Sequence, residues 1–178
     1  MKVVGISGSL IGAKTSKAVY EVLAAIKSHD FSAQIELLDL KDFEIEFVNG
    51  SPLSYYNDDT IKVVNKMLEA DMLVFGSPIY QASISGVLKN LLDFFPVDSF
   101  KNKVTGIITT GGTEKHFLVS EFHLKPILSY LKGTVPVHQV FIHNDNFDDD
   151  NEITNKGLLK RINTLAEEMI SLQKSMQK

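Results

Sequence analysis

The chain has 178 residues, 44% of them apolar, and a formal net charge of −4; that is long enough for one well-buried core, and the scattered Lys and Arg do not form the basic stripe of a nucleic-acid surface. It contains no cysteine, which excludes disulfides, thiolate metal sites and cysteine nucleophiles. Met1 to Ile6 is too short and too soon polar for a signal peptide, and no apolar run approaches the ~20 residues of a membrane span, so a soluble cytoplasmic protein of one domain, residues 1–178, is expected.

Lys2 to Ser7 is rich in Val and Ile without alternation, the pattern of a strand buried on both faces, as in a parallel sheet. The loop Ser7-Gly8-Ser9-Leu10-Ile11-Gly12-Ala13-Lys14-Thr15-Ser16 follows, and then a helix with Val19, Val22, Leu23 and Ile26 on one stripe. Strand, glycine-bearing loop and helix form a geometry that binds phosphate, because free N–H groups and the positive end of the helix dipole face the loop. Lys14 and Lys17 in the first turn oppose that dipole unless an anion sits there. They favour a bound phosphate over the other use of these residues, a solvated first turn capped by Thr15 or Ser16. The loop nearly matches G-x-x-x-x-G-K-T, but Ala13 holds the second glycine position and no later strand ends in a magnesium-binding Asp, which disfavours an NTPase. The G-x-G-x-x-G dinucleotide fingerprint is absent.

Gln34 to Leu38 reads as the second strand. Lys41 to Tyr56 has no clear period and is expected to be a long surface connection whose aromatic residues pack back on the protein rather than on a substrate. Asn57 or Asp58 caps a helix to about Glu69, with Ile61, Val64 and Leu68 as its buried stripe. Met72 to Phe75 is a third buried strand, and Phe75 to Gly86 is the loop after it. There Ser77, Tyr80, Gln81, Ser83 and Ser85 set donors beside an aromatic ring, which suits a flat polar ligand or an ordinary turn capped by Ser83 or Ser85. The next helix carries apolar residues in helical spacing from Ile84 to Phe95 and ends at Pro96. Phe94 widens its apolar surface beyond what one sheet face needs, a mark of a subunit interface.

Val104 to Thr109 is the fourth strand, and it runs into a second glycine-rich loop, Thr110-Gly111-Gly112-Thr113. In an open parallel α/β sheet ligands bind outside the carboxyl ends of the strands, where the loops after strands one, three and four converge. Farther on, the apolar positions Leu118, Phe122, Ile127 and Leu131 contain one interval of five that encloses Pro126; a single-turn π-bulge and a proline kink both satisfy that spacing. Val135 to Ile142 is the fifth strand. The acidic run Asn144 to Glu152 lacks the glycine of a calcium loop and is expected to be solvated. A final helix from about Thr154 carries Leu158, Ile162, Leu165 and Ile170 and frays from Gln173. The five histidines include no i, i+4 pair, so no zinc site is expected, and only His116 falls beside the converging loops.

These loops together resemble the flavodoxin-like NAD(P)H-dependent FMN reductases, most nearly the flavin reductase component of two-component alkanesulfonate monooxygenase systems. The residues that carry the resemblance are Gly8-Ser9 with Thr15-Ser16, the run from Pro78 to Asp93, Thr110-Gly111-Gly112-Thr113 with His116, and Leu124-Lys125-Pro126-Ile127-Leu128. The resemblance implies a flavodoxin-like three-layer sandwich, a five-stranded parallel sheet in the order 2-1-3-4-5 with helices on both faces. It implies that Ser9, Thr15 and Ser16 bind the FMN phosphate. Pro78, Ile79, Tyr80 and Gln81 line the flavin ring with Ser83 beside them, and Gly111, Gly112 and Thr113 approach from the next loop. The implied reaction is hydride transfer from NADPH or NADH to FMN, with no catalytic side chain required. A homodimer or homotetramer formed through the helix from Ser85 to Phe95 is implied, with reduced flavin passing to a monooxygenase partner or reducing a quinone or azo compound in place. A flavodoxin-type electron carrier without nicotinamide turnover is the alternative. Two departures stand out: Ile11 occupies the place of a frequent arginine, which passes charge neutralisation to Lys14, and Phe122, followed by His123, replaces a π-helix tyrosine of the alkanesulfonate-linked reductases.

Overall fold

In the computed structural model, which describes residues 1–176, the sheet is built from β1 (Lys2–Ser7), β2 (Gln34–Asp39), β3 (Met72–Tyr80), β5 (Val104–Gly111) and β6 (Val140–His143), in the order β2-β1-β3-β5-β6. All four pairings on that path are parallel. A two-residue strand, β4 (Ser83–Ile84), folds back antiparallel on the end of β3. Counting the strands of the parallel path alone, the order is the expected 2-1-3-4-5.

Helices cover both faces, and each core is built from the strand residues that point to it. On one face α1 (Lys14–His29) and α5 (Lys156–Met176) pack Val19, Val22, Leu23, Leu165 and Met169 against Val3, Val74, Ile108 and Ile142. On the other, α2 (Asp58–Glu69), α3 (Gly86–Leu92) and α4 (Lys125–Tyr130) pack Val63, Leu88, Leu91 and Leu128 against Ile6, Leu73, Phe75 and Ile107. Close approach on the first face depends on Gly76, where a Cβ would lie 2.2 Å from Val19 Cγ2; α1 therefore sits directly over β3.

Several elements differ from the sequence reading. The strand β3 does not stop at Phe75 but continues to Tyr80, so much of the expected loop is strand, followed by a two-residue hairpin. In α2 the buried stripe is Thr60, Val63, Val64 and Met67, one step around from the expected one; Ile61 is half-buried and Leu68 exposed. The short helix α3 spends Leu88, Leu91, Leu92 and nearby Phe95 on the core, and Phe94 packs edge-on to Tyr56 at 4.8 Å, so little of its apolar surface is left over. The fifth strand of the path begins at Val140 rather than Val135. Fraying does not begin at Gln173: the helix runs to Met176, and buried Gln173 accepts from Val104 N at 2.9 Å and donates to Asn102 O at 3.1 Å. The rest of that expectation, residues 177–178, lies outside the described residues.

Between the two readings of the interval around Pro126, the fold takes the π form. Ser120–Leu124 is a π-helix, with the Lys125 N–H bonded to Ser120 O, and Pro126 enters the following α4 near its start. The extra residue per turn absorbs the donor that proline lacks. Glu121 ties this turn down, accepting from Lys125 Nζ at 2.6 Å and from Gln139 Nε2 at 2.8 Å.

The long connection 43–57 has only one short 3₁₀ turn, yet it is pinned along its length. Buried Asn90 accepts from Val48 N at 3.0 Å and donates to Glu46 O at 2.8 Å. Asn57 caps α2 through Thr60 N and also donates to Glu44 O. Phe43, Ile45 and Leu53 pack on the core, while Phe47 and Tyr55 stay exposed.

Candidate active site

The registers Ser7↔Gly76, Pro78↔Thr110 and Gly111↔His143 bring the carboxyl ends of β1, β3, β5 and β6 into line. A cleft of about 300 Å³ opens there, walled by Ser9 and Lys14, by Pro78 and Tyr80, and by Gly111 and Gly112. Ile11, Gly12, Ala13, Thr15, Ile79 and Thr110 complete these walls.

The first loop presents the start of α1 without a cap. Ala13, at the N-cap position, has no side-chain acceptor, and the first turn holds no acidic residue. The N–H groups of Ile11 to Ser16 donate to no acceptor among the described residues, whereas such donors are normally satisfied by a side chain, water or ligand. Gly12 takes φ +74° with open space where a Cβ would stand, so the backbone itself faces the cleft. Gly8 N is held by Gly76 O at 2.8 Å, and Ser85 Oγ donates to Gly8 O at 2.5 Å. Ser85 N in turn donates to Ser77 Oγ at 3.0 Å, which donates to Pro78 O at 2.8 Å. This chain of bonds fixes the first loop and the third-strand loop relative to each other.

The side chains expected to meet the phosphate are placed unevenly. Ser9 is buried at the cleft with its hydroxyl donating to Ile11 O. The buried Thr15 hydroxyl is shared with Thr110 at 2.9 Å and so ties two loops together. Ser16 caps nothing: its hydroxyl donates back to Ala13 O, and it does not line the cleft. Lys14 reaches across to Asn144 O at 3.1 Å and lies 5.6 Å from the Phe147 ring centre. Lys17 does not await an anion. It pairs with Glu152, whose hydrogen bond raises the Lys17 pKa, and Glu152 is therefore more than part of a solvated run.

On the ring side, Pro78, Ile79 and Tyr80 line the cleft, and Tyr80 is half exposed. Gln81 and Ala82 form the hairpin tip with φ of +47° and +58°, a left-handed pair in residues other than glycine, which stores strain. Neither Gln81 nor Ser83 lines the cleft wall; Ser83 Oγ is 3.1 Å from His123 Nδ1, linking the tip to the π-helix. Thr113 caps the next turn through Lys115 N and also lies off the wall.

The sequence reading missed Asn144 and Asn151 as cleft residues. Asn144 follows β6 directly, so the strand-end rule that selected the other loops would have found it; Asn151 sits at φ +61° in the connection to α5 and had no local signal. His143, paired with Gly111 in register, also lies closer to the converging loops than was expected of any histidine but His116. Among the described residues no cluster could hold a metal ion, and no helix is long and apolar enough to cross a membrane.

Residues 1–147 match the sequence family described as NADPH-dependent FMN reductase. An NAD(P)H-dependent FAD/FMN reductase of Geobacillus thermodenitrificans is 42% identical over 176 residues, covering 99% of this chain and 95% of that one. An FMN-dependent NADPH-azoreductase of Staphylococcus saprophyticus is 31% identical over 177 residues, 96% of this chain and 93% of that one. Among solved structures, the apo form of an NADH:FMN oxidoreductase (EMOB) superposes with a TM-score of 0.76 at 24% identity, covering 98% of this chain and 89% of that one; it supports the fold.

Proposed function

The chain belongs to the NADPH-dependent FMN reductase family, and from that premise we propose that it catalyses hydride transfer from NADPH or NADH to FMN held in the cleft, as one FMN-binding domain spanning residues 1–178. The observation that carries this reading is the uncapped, base-flanked start of α1 opening into the same cleft as Pro78 to Tyr80 and Gly111-Gly112. Unpaired N–H groups at a helix start call for an anion, and an extended apolar and aromatic wall calls for a flat ring. The residues present therefore fit a flavin with a phosphate tail.

FMN, when bound, supplies the hydride-accepting chemistry. The N–H groups of Ile11 to Ser16 hold the phosphate, with the Ser9 hydroxyl beside them and Lys14 near enough to balance charge. Thr15 contributes its N–H and spends its hydroxyl on Thr110. Pro78, Ile79 and Tyr80 support one edge of the ring, and Gly111 and Gly112 let the backbone approach it closely. Gln81, Ser83 and Thr113 act from the rim. No side chain is required to move a proton in the transfer itself.

Delivery of reduced flavin to a monooxygenase partner is supported by the resemblance to the alkanesulfonate-linked reductases, whose π-helix this chain keeps at Ser120–Leu124, and opposed by Phe122, which stands where they carry a tyrosine. The likeness to the staphylococcal azoreductase over nearly the whole chain supports the second fate, reduction of an azo or quinone acceptor in place. Exposed Ile11 and Tyr80 at the cleft mouth support a homodimer or homotetramer, and the need for reduced nicotinamide supports a cytoplasmic location. The deciding experiment mixes the purified protein with FMN and NADPH or NADH in air and follows nicotinamide absorbance. Consumption well above the protein-free rate is expected; none with either nucleotide would leave the electron-carrier alternative.

A further inference from the structure

A second hollow, of about 570 Å³, lies directly beside the cleft. The segment His143 to Asn146 is the partition between them: Asn144 faces the cleft, while His143 and Asn146 face the hollow. The chain's one arginine, Arg161, lines this hollow and the adjoining small one, where Lys160 stands with it and His138 is engaged by Glu168 at 2.7 Å. Arg161 has no carboxylate partner among the described residues, and its Nη2 donates to Gln139 O at 3.3 Å, which leaves most of its five donors free. Phe141 and the exposed Phe117 supply aromatic surface on the walls.

The two carboxylates of the hollow differ in availability. Glu121 is already engaged by Lys125 and Gln139, and Glu114 directly follows Thr113, on the side of the Gly111-Gly112 loop. Arg161 stands where the hollow adjoins the small one lined by Lys160 and Thr164, bonded to the backbone of the same Gln139 whose side chain holds Glu121. From the start of α5 at Lys156 to Arg161 the helix advances about 7.5 Å, so a ligand entering over the partition would travel past apolar and aromatic surface before meeting the guanidinium. The main cleft is at the small end of ligand-site volumes, and a second nucleotide bound with FMN must extend outside it.

We propose that this hollow receives the adenosine 2′-phosphate half of NADPH, with Phe117 and Phe141 against the adenine and Arg161 as the ligand of the 2′-phosphate. The proposal rests on the FMN reductase reading for its choice of nucleotide. Arg161 is a specificity residue on this account: it distinguishes NADPH from NADH and takes no part in the transfer.

The probe is 2′,5′-ADP titrated calorimetrically into the FMN-free protein, with 5′-AMP as the control lacking the 2′-phosphate. The wild-type protein should bind 2′,5′-ADP about tenfold more tightly than 5′-AMP, a ~1.4 kcal/mol preference. Arg161→Ala should abolish that preference and Arg161→Lys should keep part of it, with unchanged thermal melting showing that both variants fold. In turnover, the ratio of kcat/KM for NADPH to that for NADH should fall about tenfold in Arg161→Ala. Equal binding of the two nucleotides by the wild type, or an unaltered preference in Arg161→Ala, would overturn the site. Absence of FMN-dependent oxidation of both nucleotides by the wild type would instead overturn the reductase reading, and the 2′,5′-ADP titration would still judge the hollow.

Discussion

Ile11 is three-quarters exposed at the mouth of the cleft, beside backbone donors with no protein acceptor. An arginine there would add a charge-assisted partner for the phosphate, so Ile11→Arg should tighten FMN binding by roughly tenfold, read as quenching of flavin fluorescence; unchanged affinity would show that the phosphate lies elsewhere. Ala82 offers a second test. Its φ of +58° at the second position of a two-residue turn suits glycine, and Ala82→Gly should stabilise the protein by about 1 kcal/mol in urea melts. Residue-level partners were the least legible part of the sequence. The first-turn lysines looked alike, yet Lys17 is consumed by Glu152, a residue 135 positions away, while Lys14 turns toward Asn144. Likewise nothing local signals that the Thr15 hydroxyl belongs to Thr110, because such pairings exist only once the sheet aligns the loops.

Among the elements, the α3 cap has two duties. Ser85 Oγ accepts from Leu88 N at 3.3 Å and donates to Gly8 O, so Ser85→Ala removes a helix cap and leaves a buried carbonyl unpaired. A loss of about 2 kcal/mol in chemical denaturation is expected, together with weaker FMN binding because the first loop loses its brace. The π-helix carries a pH signature. The Lys125 ammonium, hydrogen-bonded to Glu121, holds that carboxyl below its usual value of 4.5. Its contribution is therefore present above that value and is lost as pH falls through the lower folded value. Amide protection factors over residues 120–124 should drop below about pH 4.5, and Glu121→Gln should remove the dependence. Protection that stayed level in the wild type would exclude this role. The spacing around Pro126 was legible only as a choice between a π-bulge and a proline kink, and two of the positions that set it, Leu118 and Phe122, are exposed while Val119 and Leu124 are buried; the π form is fixed by packing that the spacing does not contain. By contrast, the extension of β3 to Tyr80 was hidden, since its last residues owe their conformation to β5 and to the two-residue β4.

At the scale of the whole molecule, the buried runs at Val3–Ile6, Leu73–Phe75 and Val104–Ile108 made the parallel sheet legible, because strands covered on both faces read as continuous apolar segments. Strand order followed from resemblance rather than from these runs, which are interchangeable in composition. The connection 43–57 shows the opposite case: it has almost no regular structure and no periodic signal, yet Asn90, Asn57 and Tyr56 lock it against α2 and α3. Its tip is Gly50, which stands at φ +85° with empty space beyond it; the bonds beside it, from Asn49 N to Tyr56 Oη, from Tyr56 Oη to Asn49 Oδ1 and from Ser51 N to Asn49 Oδ1, run within the loop itself rather than to the sheet or its helices. A protease in limiting amount should thus leave the body of this segment intact and nick the chain first between Asn49 and Ser51, whereas early cuts near Glu46 or Val48 would mean that the Asn90 bonds do not hold in solution. The same tip is where a foreign peptide could be spliced into the chain, or its ends relocated, without loosening the sheet.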